Sequence, residues 1–108
     1  MKTLKKEKEF SVIYNKGRKI HTNYTIVIYM ENREKENKYG FVASKKTGNA
    51  VKRNRIKRLL KQVVRNHQSE FSHKYNYIFI AKSHLKENID SLKYNDFEKD
   101  ILKGIKKI

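Results

Sequence analysis

No cysteine occurs in the 108 residues, which excludes a disulfide framework and any thiolate metal site. The four histidines are scattered, without the spacing that zinc ligation needs. Proline is absent too, and no Pro-rich linker, internal repeat or low-complexity segment divides the chain. No apolar run approaches the roughly 18 residues that cross a bilayer, and Met1 to Phe10 lacks the apolar region of a signal peptide. The chain is therefore expected to be soluble, intracellular and cytoplasmic, with no membrane partner. Negative charge is in short supply as well. Against 27 Lys and Arg stand 11 Asp and Glu, a net charge of +16. Five of those acids lie in residues 1–36, none in 37–69 and six in 70–108. Seven Tyr and five Phe in a 37% hydrophobic composition still suffice for one folded domain over residues 1–108.

The acid-free middle centres on Lys45 to His67, KKTGNAVKRNRIKRLLKQVVRNH, where nine Lys and Arg residues surround a short apolar stripe. At 100° per residue, Ile56, Leu59, Leu60, Val63, Val64 and His67 share one helix face. Asn54, Arg58, Lys61 and Arg65 line the opposite one. This predicts an amphipathic helix with a cationic outer face. Lys52, Arg53 and Arg55 crowd its first turns, where the helix dipole is already positive and N–H groups point outward. A phosphate flanked by Arg is the natural occupant of such a place. An ordinary solvated helix face would interleave Glu with Lys, so a polyanion footprint is the better reading.

Around that helix, Phe10, Ile13 and Tyr14 repeat at helical spacing over Lys6 to Lys16, with Gly17 as the expected C-terminal cap. Asn23 to Met30 predicts a strand with Tyr24, Ile26, Ile28 and Met30 on one face and Thr25, Val27 and Tyr29 on the other. Polar Glu31 to Lys38 separates it from a second strand, Tyr39 to Ser44, and the two are expected to form a hairpin. In the second strand Tyr39, Phe41 and Ala43 should face the core, while Gly40, Val42 and Ser44 leave room for a ligand. Lys46 to Asn49 then makes a turn in which Gly48 takes positive φ and Asn49 caps the basic helix. Tyr75 to Ala81 is a buried strand, Ser83 to Lys93 is expected to be irregular, and Phe97, Ile101, Leu102, Ile105 and Ile108 mark a final helix from about Tyr94. A short strand near Lys19 to Thr22 completes an α-β-β-β-α-β-α order.

No Gly-rich phosphate loop, nucleophile elbow or metal-binding HExxH is present, and no catalytic or metal-ligating residue can be named. His67 is expected at the core edge, and His21, His73 and His84 in loops. Glu98 and Asp100 should lie solvated on the outer face of the last helix. What remains is binding chemistry: Arg and Lys for phosphates, Asn54 for a base edge or sugar, and Phe10, Tyr14 and Tyr29 for unstacked bases. That set suits RNA better than duplex DNA.

Ser44-Lys45-Lys46, Gly48-Asn49-Ala50-Val51 and Arg53-Asn54-Arg55-Ile56-Lys57-Arg58 resemble the bacterial ribonuclease P protein subunit, whose signature is the Arg-Asn-Arg triplet. Glu9-Phe10, Tyr14 to Gly17, Asn23 to Tyr29 and Tyr77 to Lys82 extend the resemblance over nearly the whole chain. It implies an α/β (α+β) sandwich like the second domain of ribosomal protein S5, with a four-stranded sheet and a left-handed βαβ crossover. It also implies a ribonucleoprotein whose RNA, with Mg²⁺ held mainly by that RNA, removes the 5′ leader of precursor tRNA. By the same resemblance Lys52, Arg53, Asn54, Arg55, Lys57, Arg58, Lys61 and Arg65 dock on the catalytic RNA. Phe10, Tyr14 and Tyr29 line a leader cleft, flanked by Lys45 and Lys46. A monomeric protein in a 1:1 complex with RNA is implied, with no DNA partner. The sparse tail Met1 to Lys8 departs from a strongly basic one. Other classes that share the charge are a non-catalytic RNA-binding module such as a ribosomal protein, a DNA-binding regulator and a lone protein nuclease.

Overall fold

A computed structural model describes residues 1–108, and its centre is the strand β5, Tyr75–Ala81. This strand is hydrophobic on both faces, so it needs a neighbour on each edge and cover on each side. It receives β4 (Lys38–Val42) in parallel and β3 (Thr25–Glu31) antiparallel. The expected hairpin between β3 and β4 does not form, because β5 lies between them. The sheet order is β1-β4-β5-β3-β2, with β1 at Lys2–Thr3 and β2 at Arg18–His21. The sheet has five strands rather than four, since the start of the chain adds parallel to β4. The true hairpin is β2–β3, and it places His21 in a strand instead of a loop.

Helix α1 (Glu7–Lys16) covers one face of the sheet. Leu4, Ile13, Ile28 and Ile78 are buried there. Helices α2 (Ala50–Asn66) and α4 (Tyr94–Ile105) cover the other face, over a cluster of 17 buried residues. The stripe Ile56, Leu59, Leu60, Val63 and Val64 is fully on the buried side, as its periodicity predicts. Each such side chain contributes roughly 1.5–3 kcal/mol of burial. Aromatic pairs stiffen this layer: Tyr39 stacks on Tyr77 at 5.7 Å and Phe41 on Phe79 at 5.6 Å, with the edge of Phe71 against both Tyr77 and Phe79.

The stretch after β5 is more ordered than expected. The single turn α3 (Leu85–Asn88) and a 3₁₀ turn (Ile89–Ser91) bury Leu85, Ile89 and Leu92, which recur at i, i+4, i+7. Asp100 is not solvated either. It is 8% exposed and its carboxylate accepts the backbone N–H groups of Asn23 at 2.8 Å and Tyr24 at 2.9 Å. A buried carboxylate thus closes the β2–β3 turn, beside the Thr22–Thr25 hydroxyl bond. Gly17 ends α1, but with φ −74°. Its lack of a side chain answers to space, since a Cβ would lie 2.6 Å from both the Ile13 carbonyl oxygen and Ile28 Cγ2.

Candidate nucleic-acid interface

The end of β4 delivers the chain to α2 through a 3₁₀ turn, Lys45–Thr47. Thr47 is buried and its hydroxyl donates to the Ser44 carbonyl at 2.6 Å, which leaves Lys45 and Lys46 exposed on the outside of the turn. Gly48 follows with φ +132°, a conformation that disfavours any side chain. Asn49 Oδ1 then accepts the Lys52 N–H at 3.0 Å and caps α2.

Beyond the first turn, Asn54, Lys57, Arg58, Lys61, Arg65 and their neighbours Gln62 and Asn66 line an open groove of about 600 Å³ with no apolar wall. The row Asn54, Arg58, Lys61 and Arg65 is brought together as the helical spacing predicts, and all four are exposed. The groove contains no acid. Lys52, Arg53 and Arg55 do not line it. Lys52 Nζ lies 3.4 Å from Asp90, and Arg55 is turned inward, its Nη2 donating to the Leu92 carbonyl at 2.9 Å. Arg53 has no acidic partner and is half exposed.

On the other face of the sheet, Phe10 and Tyr14 form a tilted ring pair with centroids 6.4 Å apart. Tyr14 is 37% exposed, and its partial burial raises the pKa of its phenol. The room expected over Gly40 is taken: a Cβ there would meet Phe10 Cε1 at 2.5 Å and Leu4 Cδ1 at 3.1 Å. The half-buried apolar floor lies further along, at Ile26, Val42 and Ile80, which are adjacent in register at the end of the sheet that carries Lys45 and Lys46. Those three residues escaped the sequence reading. Strand parity does put Ile26 and Val42 off the aromatic core face, and that was the available signal.

Tyr29 is not in this cleft. It is 8% exposed on the α2–α4 face, edge-on to Tyr75 at 5.2 Å. Strand alternation forces this, because Ile28 is the residue that β3 turns towards α1. Across residues 1–108 the chain matches the family model described as Ribonuclease P. It is 45% identical over 101 residues to the ribonuclease P protein component of Fusobacterium nucleatum, covering 94% of this chain and 91% of that one.

The chain belongs to the ribonuclease P protein family.

A second relative, the ribonuclease P protein component of Alkaliphilus metalliredigens, is 34% identical over 105 residues, 97% of this chain and 91% of its own. Among solved structures, the ribonuclease P protein from Staphylococcus aureus is similar at TM-score 0.85 with 27% identity, covering 98% of this chain and 94% of that one. The fold is also that of the ribonuclease P protein from Thermotoga maritima, at TM-score 0.91 and 21% identity over 100% of this chain and 98% of that one. The α-β sheet architecture is thus the family's own. No three His, Asp or Glu side chains gather where a metal ion could be held. No helix is long and apolar enough to cross a membrane.

One ionic cluster in this ribonuclease P protein joins two residues that the sequence reading kept apart, His67 at the core edge and Glu98 on a solvated face. His67 closes α2, its Nδ1 faces Glu70 and its Nε2 lies 2.7 Å from Glu98 of α4. With a carboxylate on each nitrogen, only the imidazolium donates to both. The hydrogen bond to Glu98 leads the causes that raise the His67 pKa, and the same bond lowers that of Glu98. Glu98, expected to lie solvated, is half-buried and ties the end of α2 to α4.

Proposed function

We propose that this chain is the protein subunit of the ribonuclease P ribonucleoprotein, and that it binds the catalytic RNA and the 5′ leader of precursor tRNA. The RNA carries out the Mg²⁺-dependent endonucleolytic cleavage. The single observation that carries this reading is the groove along α2. Asn54, Lys57, Arg58, Lys61 and Arg65 stand there in an acid-free row, the charge pattern that a phosphate backbone neutralises. Arg53, half exposed beside it, extends the footprint. The chain gathers no carboxylate cluster, so Mg²⁺ fits the RNA's phosphates better than this protein.

The leader is assigned to the cleft of Phe10 and Tyr14 over Ile26, Val42 and Ile80, with Lys45 and Lys46 at its rim to meet phosphates. Stacking of one leader base on Tyr14 adds about 1–3 kcal/mol and discriminates little among bases. Reconstitution tests the whole proposal: protein alone, RNA alone and both together, on a precursor tRNA at low Mg²⁺. Cleavage enhanced only by the pair is expected. Cleavage by the protein alone, or no effect of the protein on the RNA's activity, overturns it. Replacing Arg58, Lys61 and Arg65 by Ala should flatten the salt dependence of RNA binding by about two to three units, at roughly 0.7–0.9 per lost phosphate contact. Tyr14→Ala should weaken precursor tRNA binding and spare mature tRNA, which has no leader.

A further inference from the structure

Lys52, Arg53 and Arg55 share a helix end that is already positive, yet two of the three have acceptors inside the molecule. Lys52 pairs with Asp90, and Arg55 Nη2 donates to the Leu92 carbonyl. Arg55 Nε is buried and has no partner. Both acceptors belong to one segment, the helical turns between β5 and α4, whose Leu85, Ile89 and Leu92 are packed into the main core. The Leu92 carbonyl follows the 3₁₀ turn, at the end of a helical segment where carbonyl dipoles favour a cation.

We infer that Arg55 is a positioning residue: it fastens the start of α2 to the segment before α4, so that within the Arg53-Asn54-Arg55 triplet only Arg53 and Asn54 are free to touch RNA. The inference rests on the proposed RNA-binding role of α2. Recognition of a phosphate by a guanidinium is strongest when two adjacent N–H groups point at it together. In Arg55, Nε is out of solvent and Nη2 is occupied, so that edge faces the protein. Swinging the side chain out would strand the Leu92 carbonyl and open the packing around it. The effect on RNA is through geometry. Arg65 lies ten residues further along α2, about 15 Å at 1.5 Å per residue. A tilt of roughly ten degrees at the start of the helix would carry Arg65 about 2.5 Å off its phosphate.

The test uses the full chain, a ribonuclease P RNA transcript, and the variants Arg55→Met and Arg53→Met, which keep the aliphatic stem and remove the charge. RNA affinity is measured against salt, and amide hydrogen exchange over residues 85–92 is measured without RNA. For Arg55→Met we expect weaker RNA binding, an unchanged salt slope, and about tenfold faster exchange in that segment, the loss of one charge-assisted hydrogen bond. For Arg53→Met we expect a slope lower by about 0.7–0.9 and unchanged exchange. Arg55→Lys, which keeps a cation but not the fork, should show the faster exchange as well. A slope lowered by Arg55→Met with exchange unaltered makes Arg55 a phosphate contact and overturns the inference.

Should Arg55→Met fail to fold, the wild-type chain decides by NMR of the arginine Nε–H signals. Addition of RNA should move Arg53 and leave Arg55 in place, and an equal shift of both overturns the inference. If the wild-type chain shows no salt-dependent RNA binding, the role of α2 fails. The exchange experiment on the RNA-free protein then still decides whether Arg55 fastens the segment.

Discussion

Gly17→Ala sets two physical effects against each other at the junction of α1 and β2. The backbone there, φ −74° and ψ 159°, is one that any residue adopts. On that ground alone Ala would stabilise by about 0.4–1 kcal/mol, by restricting the unfolded chain. The surroundings say otherwise. The added Cβ would lie 2.6 Å from the Ile13 carbonyl oxygen, 2.6 Å from Ile28 Cγ2 and 3.1 Å from the Tyr29 carbonyl oxygen. Two of those three atoms are backbone, one in α1 and one in β3, so no change of rotamer relieves the contact. Carbon-to-oxygen contacts in proteins ordinarily fall near 3.3–3.6 Å, so the end of α1 must move off the sheet by more than about half an ångström. Overpacking of this kind costs about 1–3 kcal/mol, sometimes more, which exceeds the gain from chain restriction.

The net destabilisation expected for Gly17→Ala is about 1–2 kcal/mol. At roughly 4–8 °C per kcal/mol for a domain near this size, the melting temperature should fall by about 4–16 °C. Thermal unfolding followed by circular dichroism at fixed ionic strength measures it. Because Phe10 and Tyr14 ride on the same helix, precursor tRNA binding should weaken alongside. A melting temperature equal to or above that of the wild type would show that α1 yields freely at its end, and that the glycine is there for no steric reason.

Three further outcomes follow from the charged groups. Asp100→Ala leaves the Asn23 and Tyr24 N–H groups without their acceptor, at about 1–3 kcal/mol each; a melting temperature within a degree or two of wild type would mean that water replaces the carboxylate. The raised pKa of His67 makes its clamp on Glu70 and Glu98 fully present below about pH 6.5, the ordinary histidine value, and lost as pH rises through the higher folded value. Stability should therefore decline across that upper window in the wild type and not in His67→Gln, and parallel pH profiles for the two proteins would contradict this. Sulfate or pyrophosphate should raise the melting temperature beyond chloride at matched ionic strength, since a ligand at a hundredfold excess over Kd adds about 2.7 kcal/mol; equal melts in all three salts would reduce the basic surface to a diffuse field.

Local rules carried the sequence reading wherever a single stretch decided the outcome. The stripe from Ile56 to Val64, the Asn49 cap, the positive φ of Gly48 and the doubly buried strand Tyr75–Ala81 all depend on neighbours a few residues away. The groove row from Asn54 to Arg65 was legible for the same reason. What failed was non-local. The β3–β4 hairpin lost to β5, which lies more than thirty residues beyond β4 in the chain and pairs with both strands. Asp100 reaches a turn 77 residues away, and Arg55 a carbonyl 37 residues away. Tyr29 illustrates a subtler limit. Alternation already set it opposite Ile28, but nothing local says which face α1 will cover.

The placement of the few acids explains how a chain of net charge +16 holds together without blunting its basic surface. Glu9 takes the Lys6 N–H at 3.2 Å and Lys38 Nζ at 3.1 Å, which joins the start of α1 to β4, and these hydrogen bonds lower its pKa. Asp100 closes the β2–β3 turn, Glu98 joins α4 to α2 through His67, and Asp90 meets Lys52. Each of these acids joins two elements. Of the nine cations between Lys45 and Arg65, Lys52 alone lies within ion-pair distance of an acid. Exposed ion pairs contribute only about 0–1 kcal/mol, so leaving the outer row of α2 unpaired costs the fold little in lost attraction. The cost that remains is mutual repulsion along the row, which falls when a phosphate backbone lies in the groove. The apolar stripe of α2 thus secures the helix to the sheet, and its outer row stays clear of acids, as the proposed role in RNA binding requires.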